Sequence, residues 1–188
     1  MPAPGPAVVA DALVVVDVQR GLVEGEGAVA DAAGWLGRWR RALDAARSAG
    51  VPVVHLQDDG SDPGSLIARG SSGWELVLEV VAGEPVVAKA HDDGFVGTAL
   101  EELLRAAGST RPCLVGIQSE MCVAGTARGA MARGLTVVLP RDGHTTYDVP
   151  ADDEAPPVPA SHVSRVAEWS LGDAVVAPAR LADVRFGR

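Results

Sequence analysis

The chain has 188 residues, 47% of them hydrophobic and 22% charged, with 16 basic residues against 25 acidic ones and a formal net charge of −9. This length and balance fit one globular domain over residues 1–188, large enough to bury a core, and argue against a disordered chain. The acidic excess argues against a nucleic-acid partner and an anionic membrane surface, and leaves a neutral or cationic small molecule as the fitting substrate.

Residues 1–7 carry no basic segment and no long apolar run, so they do not read as a signal peptide. Residues 12–18 (ALVVVDV) read as a buried strand. Residues 28–49 read as a helix, with Trp35, Leu36, Trp39, Leu43 and Ala46 at helical spacing and Gly50 as its stop. Residues 51–56 (VPVVHL) are the next strand. Residues 58–73 are rich in Asp, Gly and Ser and read as a loop, while 74–81 are ambiguous between a short helix and irregular chain. A strand over 86–90 precedes a helix over 97–107, stopped by Gly108. Residues 112–117 (PCLVGI) form another buried strand, and 120–133 a helix capped by Ser119 and ended by Gly134. Residues 135–139 are expected as a fifth strand, 141–159 as a polar loop, 161–171 as a last helix and 174–176 as a strand in the tail. Short β-branched strands alternating with helices predict an α/β fold, a parallel sheet covered on both faces. No stretch nears the roughly 20 apolar residues of a membrane span. Two cysteines, Cys113 and Cys122, make neither a disulfide framework nor a metal cluster, and free thiols fit a reducing, cytoplasmic compartment.

Open α/β sheets place their sites at the carboxyl ends of strands. Asp17, Gln19, Gln57, Lys89, His91, Gln118 and Asp142 stand there. Lys89 is the single lysine, the other basic residues being arginines. A point ammonium is not interchangeable with a guanidinium, although a composition poor in lysine would also leave one by chance. Cys122 falls in the first turn of its helix, where free amides favour a thiolate and can hold an oxyanion. Rapid alkylation of Cys122 below pH 7 is expected on that ground. With Asp17 as proton acceptor and Lys89 as cation, the three make a plausible nucleophile–base–cation set. Plainer readings stand beside it. A cysteine early in a helix is commonly a small core residue, a carboxylate inside a buried strand can be half of a structural ion pair, and Cys113 reads as packing.

Three blocks, VVVDVQRGL, Lys89 followed shortly by DDGFVGTAL, and GIQSEMCVAGTARGAMARGLTVVLPRDGHTTYD, come in the order and spacing of the isochorismatase-like cysteine hydrolase superfamily, which the chain resembles from about residue 10 to 170. The stretches VPVVHLQDDG, GWEL, QSEMC and VSRVAEWSLGD are similar, within it, to the streptothricin hydrolase branch. The resemblance implies a three-layer α/β/α, isochorismatase-like (Rossmann-like) hydrolase fold and a catalytic triad of Cys122, Asp17 and Lys89. It implies attack of Cys122 on an amide or lactam carbonyl, a thioester, and release by water. It also implies a cis peptide at Ile117–Gln118, with the amides there and at Cys122 forming an oxyanion hole. Related nicotinamidases hold a metal through an Asp-x-His motif after the second strand. Here that region reads HLQDDG, so no metal and no cofactor is expected, and His55 reads as a core residue. Gln19, Trp74, Glu75, Phe95, Gln118, His144 and Tyr147 are candidates to line the substrate pocket, although Trp74 and Phe95 could equally be core and His144 a surface loop residue. The acidic pairs Asp58-Asp59 and Asp92-Asp93, with residues 152–154, are either solvated loop tips or a negative mouth for a cationic substrate. The resemblance further implies a homodimer or homotetramer built through helix faces. Alternatives are the same triad on another small amide, an N-carbamoyl compound or a nicotinamide-like substrate, and a non-catalytic receiver-like module in which Asp17 and Lys89 are a structural pair. The module would need an acidic pair after the first strand, where Val18-Gln19 stands.

Overall fold

The structure, a computed structural model, describes residues 8–188; the reading of residues 1–7 lies outside the described residues. β1 (Val8–Ala10) is followed by the central strand β2 (Ala12–Val16), whose five residues are all buried. β3 (Val53–Asp58), β4 (Val86–Lys89), β5 (Pro112–Ile117) and β6 (His144–Thr145) complete a five-stranded sheet in the order β4-β3-β2-β5-β6. Every pairing in it is parallel. Alternate residues of β2 enter different cores. Leu13 and Val15 join one with Leu36, Trp39, Leu43 and Ala46 of α2 (Ala32–Ser48). Ala12, Val14 and Val16 join the other with α3 (Leu100–Ala106) and α4 (Ala124–Ala132). Burial on both faces is why these strands are continuous apolar runs. The result is the expected α/β/α layering.

β2 neighbours β3 on one side and β5 on the other. The winding direction therefore reverses beside its carboxyl end, where such sheets bind ligands. A short helix α1 (Arg20–Val23) and the π-helical turn Ser119–Val123 leave from the two sides of that crevice. α5 (Ala160–Ser170) packs over the turn. Among the described residues no helix is long and apolar enough to cross a membrane.

Several local expectations are corrected. Residues 135–139 run beside β5, but Val138 alone makes bridges, to Cys113 and Val176. Pro140 has no amide hydrogen, and the turn closed by Gly143 N–H on the Pro140 carbonyl (2.8 Å) interrupts the run. His144 and Thr145 then take up pairing with Gly116 and Ile117. Ser119 caps no amide; Gln118 holds the cap position without a side-chain bond. The stretch 74–81 is not a helix: a single 3₁₀ turn at Ser72–Trp74 leads into extended chain, with Leu76 bridged to Gln19. The tail returns as β7 (Val184–Phe186), parallel to β1.

Candidate active site

Asp17 follows β2 with φ +50, in the left-handed region that Asp tolerates better than most residues. Its amide donates to the Leu56 carbonyl (3.1 Å) and its carbonyl accepts from Gln19 N–H (2.8 Å), so the kink is held on both sides. Lys89 closes β4, and its side chain is fully shielded from solvent. Its Nζ lies 2.7 Å from Asp17 Oδ2, 3.1 Å from Cys122 Sγ and 3.8 Å from Asp58 Oδ2. Cys122 is carried by the π-helical turn, a few residues after the Ile117–Gln118 peptide, which is cis. The three residues, far apart in sequence, thus meet at one crevice.

Burial alone would lower Lys89, but Asp17 and Cys122 hold its ammonium above the ordinary lysine value. Burial raises Asp17, against the pull of Lys89, which makes its carboxylate a stronger base than an exposed one. Asp17 Oδ1 is buried and, among the described residues, has no hydrogen-bond partner, so it is free to accept a proton. Burial, aided by the Asp17 charge, pushes the Cys122 thiol up despite Lys89. Desolvation and a neighbouring anion thus act against the thiolate that the helix start favours. Cys113 is fully buried in β5, and burial pushes its thiol up as well.

A cavity of about 250 Å³ opens over these groups. Leu22, Leu66, Ile67 and Met121 supply apolar lining; Asp58 and Asp92 supply charge, and among the described residues no arginine or histidine lines it. Asp92 Oδ1 stands 3.6 Å from Cys122 Sγ. Its loop is seated on α4, where Thr126 Oγ1 accepts from Gly94 N–H (3.0 Å) and donates to the Asp92 carbonyl (3.3 Å).

Of the side chains expected to meet substrate, Gln118 and Tyr147 line the cavity and the others do not. Gln19 is buried as a strut: its Nε2 donates to the Trp74 carbonyl (3.1 Å), and its Oε1 accepts from Asp58 N–H (3.0 Å). Trp74 Nε1 donates to the Asp58 carbonyl (2.8 Å). Both therefore shape the backbone beneath Asp58. Glu75 is exposed and pairs with Arg20 (3.2 Å). Phe95 is core, with the Arg133 guanidinium 4.6 Å over its ring. His144 is buried and turned toward Ser119. Gln57 donates to the Trp74 carbonyl, Asp142 accepts from Leu181 N–H, and His91 is exposed. His55 Nε2 faces Glu84 Oε2 at 3.0 Å in the core. Among the described residues no three or more His, Cys, Asp or Glu side chains gather as a metal-holding set.

Sequence reasoning missed Ser65, Leu66 and Ile67 because residues 58–73 show no apolar periodicity. The available signal was two glycines. A Cβ on Gly21 or Gly73 would sit 2.2 or 2.0 Å from the Leu66 carbonyl oxygen, so the loop can approach only where side chains are absent.

The isochorismatase domain profile matches residues 11–156. The chain belongs to the isochorismatase family. Two streptothricin hydrolases of Streptomyces noursei are 53% and 51% identical over 178 residues, 93% of this chain. The chain spans 64% of the length of the first and 70% of the second. An isochorismatase from Pseudomonas putida KT2440 superposes with a TM-score of 0.85 at 25% identity, covering 96% of this chain and 93% of its own. The likeness to that solved structure covers nearly the whole chain and so takes in the five-stranded sheet.

Proposed function

We propose that the protein is a cysteine amidohydrolase that opens a C–N bond, amide or lactam, in a small cationic molecule of the streptothricin type. The observation that carries this is one ammonium 2.7 Å from a buried carboxylate and 3.1 Å from a thiol, beneath a cavity. The identity with streptothricin hydrolases supports the substrate class.

In the first half-reaction Asp17 Oδ1 takes the thiol proton as Cys122 Sγ attacks the carbonyl carbon. Lys89 stabilises the forming thiolate, and amides of the Gln118–Cys122 turn take the oxyanion. Collapse breaks the C–N bond, the amine takes the proton from Asp17 and departs from an amide or stays tethered in an opened lactam, and a thioester remains. Water then gives a proton to Asp17 and adds to the thioester carbon; collapse expels the sulfur, which takes that proton back from Asp17, and the acid departs from the re-formed thiol. The raised basicity of Asp17 suits it to both transfers. The test is hydrolysis of streptothricin, N-carbamoyl amides and nicotinamide by the native chain beside Cys122→Ala. Failure of the native chain on every amide sinks the proposal.

Asp58 and Asp92 give the cavity a negative lining, which would steer a cation toward it. Screening lengths shrink from about 10 Å at 0.1 M salt to about 3 Å at 1 M. The kcat/KM of a cationic amide is therefore expected to fall with ionic strength while that of a neutral amide holds, and Asp92→Asn to flatten the slope. A salt-independent kcat/KM for the cation would rule steering out.

A further inference from the structure

Ser119 stands three residues before Cys122 and is buried, its hydroxyl 2.8 Å from His144 Nδ1 and 2.9 Å from Ser164 Oγ. His144, also buried, turns Nε2 toward Glu168 Oε1 at 3.5 Å, and among the described residues that nitrogen has no hydrogen-bond partner. Glu168 Oε2 lies 3.5 Å from both Arg141 and Arg165. The next residue of the turn, Glu120, accepts from Thr146 Oγ1 at 2.8 Å. Ser119, His144, Ser164 and Glu168 all lie outside the lining of the catalytic cavity.

Burial pushes His144 down to about 4, so the ring is neutral at physiological pH, with one nitrogen donating and the other accepting. A hydrogen on Nε2 faces the Glu168 carboxylate. A hydrogen on Nδ1 would instead aim the Nε2 lone pair at that carboxylate. The first tautomer is favoured, and with it Nδ1 accepts from the Ser119 hydroxyl, whose oxygen is left to accept from Ser164 Oγ. Ser119 sits between its two partners in a short chain of bonds. It ties the start of the cysteine turn to β6 and to α5. Such ties matter here because a π-helical turn lacks the regular i→i+4 ladder that holds an α-helix in register.

We propose that Ser119, oriented by His144 and Ser164, is a positioning residue that sets the turn bearing Cys122 for attack. This rests on Cys122 being the nucleophile. The test measures kcat, KM, melting temperature and the alkylation rate of Cys122 in Ser119→Ala, Ser119→Thr, His144→Phe and His144→Asn. A misplacement near 1 Å costs about 100-fold in rate, so Ser119→Ala and His144→Phe are expected to lose kcat by that order with KM little changed. Ser119→Thr restores the hydroxyl, and His144→Asn puts an amide oxygen near the place of Nδ1; both should retain most of kcat. Alkylation of Cys122 should change in the same two damaged variants. An unchanged kcat in Ser119→Ala, or losses that follow melting temperature whether or not the hydrogen bond is restored, overturns the proposal. Cys122→Ala keeps the two readings apart. If it still hydrolyses amides, the cysteine mechanism fails; if it is inactive while Ser119→Ala is fully active, the positioning role alone fails.

Discussion

Cys122→Ala is expected to lose amide hydrolysis by a factor of about 10⁴ or more, because removing a nucleophile removes the covalent route altogether. The fold should survive. Lys89 keeps its 2.7 Å contact with Asp17 when the sulfur is gone, so no buried charge is left alone. The loss of one half-buried sulfur is worth about 1 kcal/mol, within the ordinary range for a single substitution. Cys122→Ser retains a group for Lys89 to bond and should still fail, since a hydroxyl is far less acidic than a thiol. The raised Cys122 adds a pH signature. Alkylation of the resting enzyme by a neutral reagent should be slow at pH 7 and accelerate well above it, with Cys113 spared because it is fully buried. The acid limb of kcat/KM should lie above the ordinary aspartate value of about 3.9, since the base must be ionised and burial raises Asp17. An alanine variant with a tenth or more of native turnover, purified free of native enzyme, would end the assignment.

How much of this was legible from residues follows from where each one sits. Asp17, Lys89 and Cys122 could be picked out because parallel strands end at one edge, and apolar runs mark those ends plainly. Their partnership needed the crossover order, which no local pattern encodes. Its position after the fifth strand leaves His144 open between facing the site and lying in a surface loop. That strand is split at Pro140, and the residue falls in the short piece beyond, one layer behind the turn. Gln19 and Trp74 carry polar groups near a strand end, yet both spend them on the backbone around Asp58. Polar side chains next to a site often brace it, and sequence does not separate bracing from contact. β1 and β7 were invisible for a different reason. Each is three residues long and pairs with the far end of the chain, too short for a period to register.

Lys89→Arg is expected to fold and to lose most of its turnover, and Lys89→Met is expected to fold poorly. Lys89 Nζ meets Asp17 Oδ2 and Cys122 Sγ at bonding distance, with Asp58 Oδ2 at 3.8 Å, from a side chain with no exposed surface. Three donors on one tetrahedral nitrogen can point to separate acceptors. A planar guanidinium is longer and spreads its hydrogens along a fork, so within the same walls it can pair with Asp17 while pushing past the sulfur. Its rate loss should appear in kcat, with KM for the substrate changed little. The methionine variant isolates the charge. It leaves the Asp17 carboxylate buried without its counter-ion, and breaking such a pair costs about 3–5 kcal/mol. Adding Asp17→Asn removes the stranded charge, so the double variant should recover much of the lost stability and none of the activity. Denaturant melts of the two single variants and the double one measure the coupling directly. If Lys89→Arg kept near-native kcat, the single lysine would be an accident of composition. If Lys89→Met melted like the native chain, the ion pair would not be the buried, unscreened contact described above.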